Sequence, residues 1–160
     1  MLKLSTSRFG DIEIPDERLL TFPSGLIGFH QHARFALLED EKKLGYQWLQ
    51  SLDDGNFAFV VVEPGSFKTD YQVEIQDDTL EELEFTDGDE IIILAIVRIP
   101  PGRSHEATMN LRGPIVMNVT KRRGKQIILN ESYPLRFEFL PAESQDSVHL
   151  QENKHEVVQT

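Results

Sequence analysis

The sequence predicts an all-β fold, mainly antiparallel: a small closed or nearly closed β-barrel or pseudo-barrel of about ten short strands with one short helix. Three observations point there. Short apolar runs recur along the chain with Gly, Pro, Asp and Asn between them, the punctuation of strands joined by tight turns. The run FAFVVV at residues 57–62 is apolar on both faces at a period of two, so it belongs inside a sheet covered on both sides. Helical start signals stand out in one stretch, near Asp78.

The elements follow in order. Residues 1–5 read as a first strand, Gly10-Asp11 turns it, and Ile12 and Ile14 alternate with Glu13 in a half-buried second one. Residues 19–22 start a strand that Pro23-Ser24-Gly25 breaks. GLIGF at residues 25–29 is apolar, but its two glycines suit neither helix nor strand, so an ordered loop held by Leu26, Ile27 and Phe29 is expected. Residues 35–38 form the next strand. The centre of the chain is YQWLQSLDDGNFAFVVVEP at residues 46–64, a hairpin around Asp53-Asp54-Gly55-Asn56. Tyr46, Trp48 and Leu52 share one face of its first arm and Leu49 takes the other; Gly55 is expected to supply the positive φ of a tight reversal. Trp48 is expected in the core near Phe59, and Pro64 ends the second arm.

Residues 71–75 alternate as a strand. The helix follows, with Asp78 as cap, Glu81 in capping-box position and Leu80 and Leu83 on one face. Asp87-Gly88-Asp89 is a turn, and residues 91–99 are a second buried strand, stopped by Pro100-Pro101-Gly102. Strands at residues 107–111 and 115–119 flank Gly113-Pro114. Gly124 then turns the chain into the apolar run 127–129, and Leu135, Phe137 and Phe139 alternate in a final half-exposed strand. Residues 1–140 are read as a single β-barrel domain. Residues 141–160, polar and without period, are read as a disordered tail.

Composition narrows the function. The 160 residues include no cysteine, which removes disulfides, thiol nucleophiles and thiolate metal sites. No signal peptide is apparent, and the longest apolar run, residues 91–97, is too short to span a bilayer, so a cytoplasmic protein without membrane contact is expected. A net charge of −11 opposes direct binding to nucleic acid. Residues 70–90 carry Asp70, Glu74, Asp77, Asp78, Glu81, Glu82, Glu84, Asp87, Asp89 and Glu90 with no Lys or Arg, whereas Lys121, Arg122, Arg123 and Lys125 gather in TKRRGKQ. An electrostatically polar molecule is expected, with TKRRGKQ as a solubilising hairpin turn. The acidic stretch reads equally as a solvated face or an interaction surface.

Catalytic signals are weak. Asp53 and Asp54 are adjacent, point apart in extended chain, and fit turn chemistry. His30 and His32 lie at strand spacing without a third ligand, and read as a surface pair. No phosphate-binding, dinucleotide, hydrolase-elbow or zinc-protease motif occurs, so no catalytic residue, metal or cofactor is assigned.

Three segments taken together are specific: LLTFPSGLIGFH at residues 19–30, the central YQWLQSLDDGNFAFVVVEP, and MNLRGPIVMNVTKRRGKQIILNESYPLRF at residues 109–137. In order and spacing they resemble the flagellar assembly factor FliW family, over about residues 2–139. The resemblance implies a non-enzymatic, β-barrel-like cytoplasmic protein, monomeric when free. It would bind flagellin like a chaperone. It would also bind CsrA, the small dimeric RNA-binding regulator that represses flagellin translation, and so couple flagellin level to flagellum assembly. Candidate partner-binding residues are Asp77, Asp78, Glu81, Glu82 and Glu84 on the acidic helix, Leu26, Ile27 and Phe29 in the glycine-broken loop, and Asp53 and Asp54. The loop reads equally as a plug over a barrel end. The alternative reading is a small-ligand-binding or enzymatic barrel using Asp53, Asp54 and the aromatic loop of Phe22 and Phe29.

Overall fold

Alternating apolar residues leave the two central strands with no wet face, and the sheet curls around them until it closes. A computed structural model describes residues 1–43 and 45–139. In chain order the strands are β1 (Leu2–Thr6), β2 (Gly10–Ile14), β3 (Leu19–Thr21), β4 (Arg34–Glu39), β5 (Gln47–Ser51) and β6 (Ala58–Val62). After the helix α1 (Asp77–Glu82) come β7 (Ile91–Arg98), β8 (Thr108–Met109), β9 (Ile115–Asn118), β10 (Arg123–Gln126) and β11 (Phe137–Glu138). Seven strands form a closed ring in the order β7-β6-β5-β4-β3-β10-β9, with β9 returning to β7. Every pairing in the ring is antiparallel except β3 with β10, which meet in parallel at one residue pair, Thr21 and Arg123.

Ring closure puts one apolar set inside and one outside. Inside lie Phe22, Phe35, Leu49, Val61, Leu94, Ile115 and Met117, contributed from all round the ring. Outside β5, β6 and β7, a second cluster gathers Tyr46, Trp48, Val60, Val62, Val97, Met109 and Phe139 under β8 and β11. The β1–β2 hairpin covers the outer face of β4 with Leu2, Leu4, Ile12 and Ile14 packed on Ala36 and Leu52. A sheet covered on both faces is what FAFVVV requires.

Several expectations are corrected. Trp48 is buried at 8% exposure, but it pairs across the ladder with Val60, on the opposite face from Phe59. Its neighbours are Phe9, edge-on at 6.0 Å, and the Arg8 guanidinium, 4.1 Å above its ring. Gly55 does not adopt positive φ; a Cβ there would sit 2.0 Å from the Ser5 carbonyl oxygen, so the requirement is close approach of β1. The helix starts two residues earlier than read. Gln76 is its cap residue without a side-chain bond, and Asp77 and Asp78 lie in the first turn, where carboxylates suit the helix dipole.

Residues 71–75 form no strand and pair with none, although they alternate. Residues 107–111 and 135–139 shrink to the two-residue strands β8 and β11. The turn expected at Gly124 falls instead before it, with Arg122 at φ 58. Gly124 sits inside β10, where a Cβ would approach the Phe22 ring to 2.6 Å. The tail at residues 141–160 lies outside the described residues.

Candidate functional site: the acidic helix on its basic strand

The basic run does not project as a hairpin tip. It forms the turn and β10, and its cations lie against the acidic segment. Lys121 Nζ donates to Asp89 Oδ2 at 2.8 Å, to Thr86 Oγ1 at 2.8 Å and to the Glu84 carbonyl at 3.0 Å. Arg123 Nε donates to the Glu82 carbonyl at 3.1 Å, and Lys125 Nζ to Glu82 Oε1 at 2.7 Å. Ser24 adds a hydroxyl bond to the other Glu82 oxygen. The expected electrostatic polarity is therefore corrected: much of the positive run is neutralised against the negative one.

Asn118 anchors this seam from beneath. It is fully buried; its amide donates to the Leu83 carbonyl at 3.1 Å and Asp89 Oδ2 at 3.0 Å, while its oxygen accepts the Lys121 N–H at 3.2 Å. The Lys121 ammonium, then the Thr86 N–H and Asn118, hold the Asp89 carboxyl far below the usual range. Lys125, then Ser24, lower Glu82 in the same way. Glu84 pairs loosely with Arg123 at 3.7 Å. Asp77, Asp78 and Glu81 differ: they are exposed and carry no ion pair among the described residues. Of the five candidate carboxylates on and just after this helix, three face solvent without an ion pair among the described residues, and Glu82 and Glu84 belong to the seam.

The glycine-broken loop is ordered, as read. Leu26 is buried in the barrel interior at 1% exposure and bridges Phe29. Phe29 is half-buried, packed on Phe57 at 4.8 Å and Phe59 at 5.7 Å. Ile27 is exposed at 43%, and its N–H donates to Gln126 Oε1 at 3.0 Å. Within one loop, then, Leu26 plugs and Ile27 projects. The reading of His30 and His32 as a surface pair fails for His32. That ring is buried, stacked on Phe57 at 4.3 Å, with Nδ1 3.0 Å from Ser51 Oγ, while His30 stays exposed.

Asp53 and Asp54 turn out to be turn residues. Asp53 accepts the Ala33 and Arg34 N–H groups at 2.9 and 3.0 Å, and Arg34 Nε at 3.3 Å. Burial pushes its carboxyl up, but these bonds, from Arg34 and Ala33, outweigh that and hold it below the usual range. Asp54 accepts the Asn56 N–H at 2.9 Å. Phe22 is wholly buried in the barrel interior, away from the turn that holds these carboxylates. An open depression lined by Glu39, Gly45, Gln47, Glu63, Ser66 and Phe67 includes none of them. Among the described residues no group of three His, Cys, Asp or Glu could hold a metal, and no helix is long and apolar enough to cross a membrane.

The FliW protein family model matches residues 3–139. The chain belongs to the FliW family. It is 41% identical over 142 residues to the flagellar assembly factor FliW of Syntrophus aciditrophicus, covering 87% of this chain and 88% of that one. It is 37% identical over 131 residues to FliW of Thermotoga maritima, covering 81% and 88%. A crystal structure of the flagellar assembly factor FliW superposes with a TM-score of 0.78 at 35% identity, covering 87% of this chain and 97% of that chain. The match takes in the ring, α1 and the seam. Sequence reading found both halves of the seam in this FliW chain but did not join them. The available signal was opposite sign: an unmixed acidic stretch and an unmixed basic run in one small protein.

Proposed function

We propose that this chain is a cytoplasmic, non-enzymatic flagellar assembly factor that binds flagellin and antagonises CsrA, relieving repression of flagellin translation. Family membership supports the flagellar role, since the relatives it matches are named flagellar assembly factors. One observation of this chain carries the antagonist reading: Asp77, Asp78 and Glu81 stand exposed on a helix that the seam holds in place. RNA binding draws on phosphate neutralisation, so fixed negative charge beside a bound regulator opposes RNA without touching it. Screening limits this to a reach of about 8 Å at physiological salt, so the carboxylates must lie close to the RNA path. The free protein acts as a monomer with residues 1–140 as one domain, and needs no cofactor.

The test is a titration of a CsrA–RNA complex with the wild type and with an Asp77→Asn, Asp78→Asn, Glu81→Gln variant, which leaves the seam intact. Inhibition of RNA binding should weaken more than affinity for CsrA at the same salt. Equal losses would make the helix part of the interface. No change in either would reduce it to a solvated face. For flagellin, the exposed Ile27 and half-buried Phe29 are the contact candidates, with Leu26 supporting them from the core. Replacing Ile27 and Phe29 with serine should weaken flagellin binding while circular dichroism stays native; lost structure would assign the loop a purely structural role.

A further inference from the structure

Residues 71–76 break a pattern that holds elsewhere in the molecule. Tyr71, Val73 and Ile75 are half-buried and Gln72, Glu74 and Gln76 exposed, the period of a strand seated on one face. Gln76 closes the run in extended conformation, at φ −74 and ψ 158. Yet no backbone N–H from Gln72 to Gln76 donates to any described residue. Among the carbonyls of residues 72–75, only that of Gln72 accepts a bond, from the Tyr133 hydroxyl at 3.3 Å. Residues 127–129 make the contrast. They too lie outside the strands, but Ile127 and Leu129 donate to the carbonyls of Pro114 and Arg112 at 3.0 and 2.7 Å. A strand-like segment with an unpaired row of N–H and C=O groups is a template for another strand.

Both ends of the segment are fixed, which lowers the ordering cost of using it. The Tyr71 hydroxyl donates to the Leu111 carbonyl at 2.6 Å, and its ring lies edge-on to Tyr133 at 5.8 Å. Burial, then Tyr133, pushes that hydroxyl up to about 12, so it remains a donor across the physiological range. At the other end α1 begins at Asp77. Charge selects the occupant. Asp70, Glu74, Asp77 and Asp78 are all exposed around the segment; Lys68 is paired with Asp70 at 2.9 Å, and Arg112 is turned to the Tyr133 and Glu131 carbonyls.

We propose that residues 72–76 accept an extended, basic peptide segment of a partner protein by β-strand addition. Main-chain bonds to the open row give affinity, Val73 and Ile75 offer apolar contact, and Lys or Arg of the partner faces Glu74. This goes beyond the flagellin and CsrA reading, because it fixes the chemistry and conformation of the incoming segment rather than the protein that carries it.

The probe is a fluorescein-labelled peptide of alternating lysine and valine, titrated into the full chain and followed by anisotropy. Two further versions carry N-methyl groups on odd or on even amides, and a fourth has glutamate for lysine. Saturable binding is expected for the parent and for one N-methylated register, with about a tenfold loss for the other register, the equivalent of one or two net hydrogen bonds. The glutamate peptide should not bind. Glu74→Lys, an exposed change checked by circular dichroism, should weaken the parent peptide, and Glu74→Gln should do so by less. Amide exchange at residues 72–76 should slow when the peptide is added. Equal behaviour of the two methylated registers would leave only charge attraction and overturn strand addition. So would absence of saturable binding, or protection confined to another edge.

Discussion

At the β5–β6 hairpin, Trp48, Leu49, Val60 and Val61 are dry on both sides of one sheet, whereas at the seam between α1 and β10 the contacts join charged groups that keep part of their water. Lys121, Lys125 and Glu82 retain 34%, 27% and 23% of their side-chain exposure, and Asp89 only 6%. The hairpin draws its stability from removed apolar area, which is indifferent to pH. Half-solvated ion pairs return little net energy, because desolvation and side-chain ordering offset their attraction. What fixes the seam is Asn118, the one fully buried polar side chain in it. The lesson is that charge patterning sets where the helix lies, and a buried amide keeps it there.

Four measurements would break or sharpen that contrast. Trp48→Ala should be the most damaging, at about 3–5 kcal/mol by urea unfolding, because it empties the outer cluster under Phe9 and Arg8. A near-wild-type midpoint would remove the indole from the core. Next, Gly124→Ala should cost about 1–3 kcal/mol by overpacking, since the added methyl meets a Phe22 ring with no room to move. Tolerance there would show that the barrel interior yields at β3 and β10.

Asn118→Ala should cost about 1–2 kcal/mol, with amide exchange rising in α1 before the ring strands. Uniform exchange instead would mean that the seam does not unfold separately. Acid titration should give the smallest effect. Asp89 and Glu82 have folded-state pKa values below their unfolded ones. Their contribution is therefore complete above the ordinary carboxylate range, about pH 4, and is lost as pH falls through the lower folded values. Lys121→Ala should flatten the acid limb of a midpoint-against-pH curve. Superimposable limbs would show that Lys121 does not set the Asp89 titration.

Much of the ring was legible because period-two alternation survives in its strands. Residues 35–38, the FAFVVV run and residues 91–98 all sit where the pattern places them, and so do Ile12 and Ile14 in the hairpin outside the ring. Errors came where a distant element decided a local conformation. Gly55 and Gly124 both looked like turn glycines, but each is small because another part of the chain passes close by, Ser5 in one case and Phe22 in the other. Residues 71–75 alternate like a strand yet join no sheet. The acidic helix was legible as a surface, whereas its division into Asp77, Asp78 and Glu81 facing water and Glu82 held in the seam was not. That division depends on where β10 lies, which no local signal encodes.

The parallel contact of β3 with β10 also has a consequence for synthesis. The ring shuts at Thr21 and Arg123, so its first strands are made long before the partner that closes it. Until β9 and β10 leave the ribosome, β3 and β7 each present a bare edge, and the Phe22 face lacks the Gly124 backbone that covers it. Contacts so far apart in sequence carry a high closure entropy and form late. The chain must therefore pass through an open-edged stage on the way to being made, one in which unfinished copies can pair with one another. Rapid passage through it depends on the stretch from Ile115 to Gln126, which supplies in one hairpin both the strand that closes the ring and the cations that seat the helix.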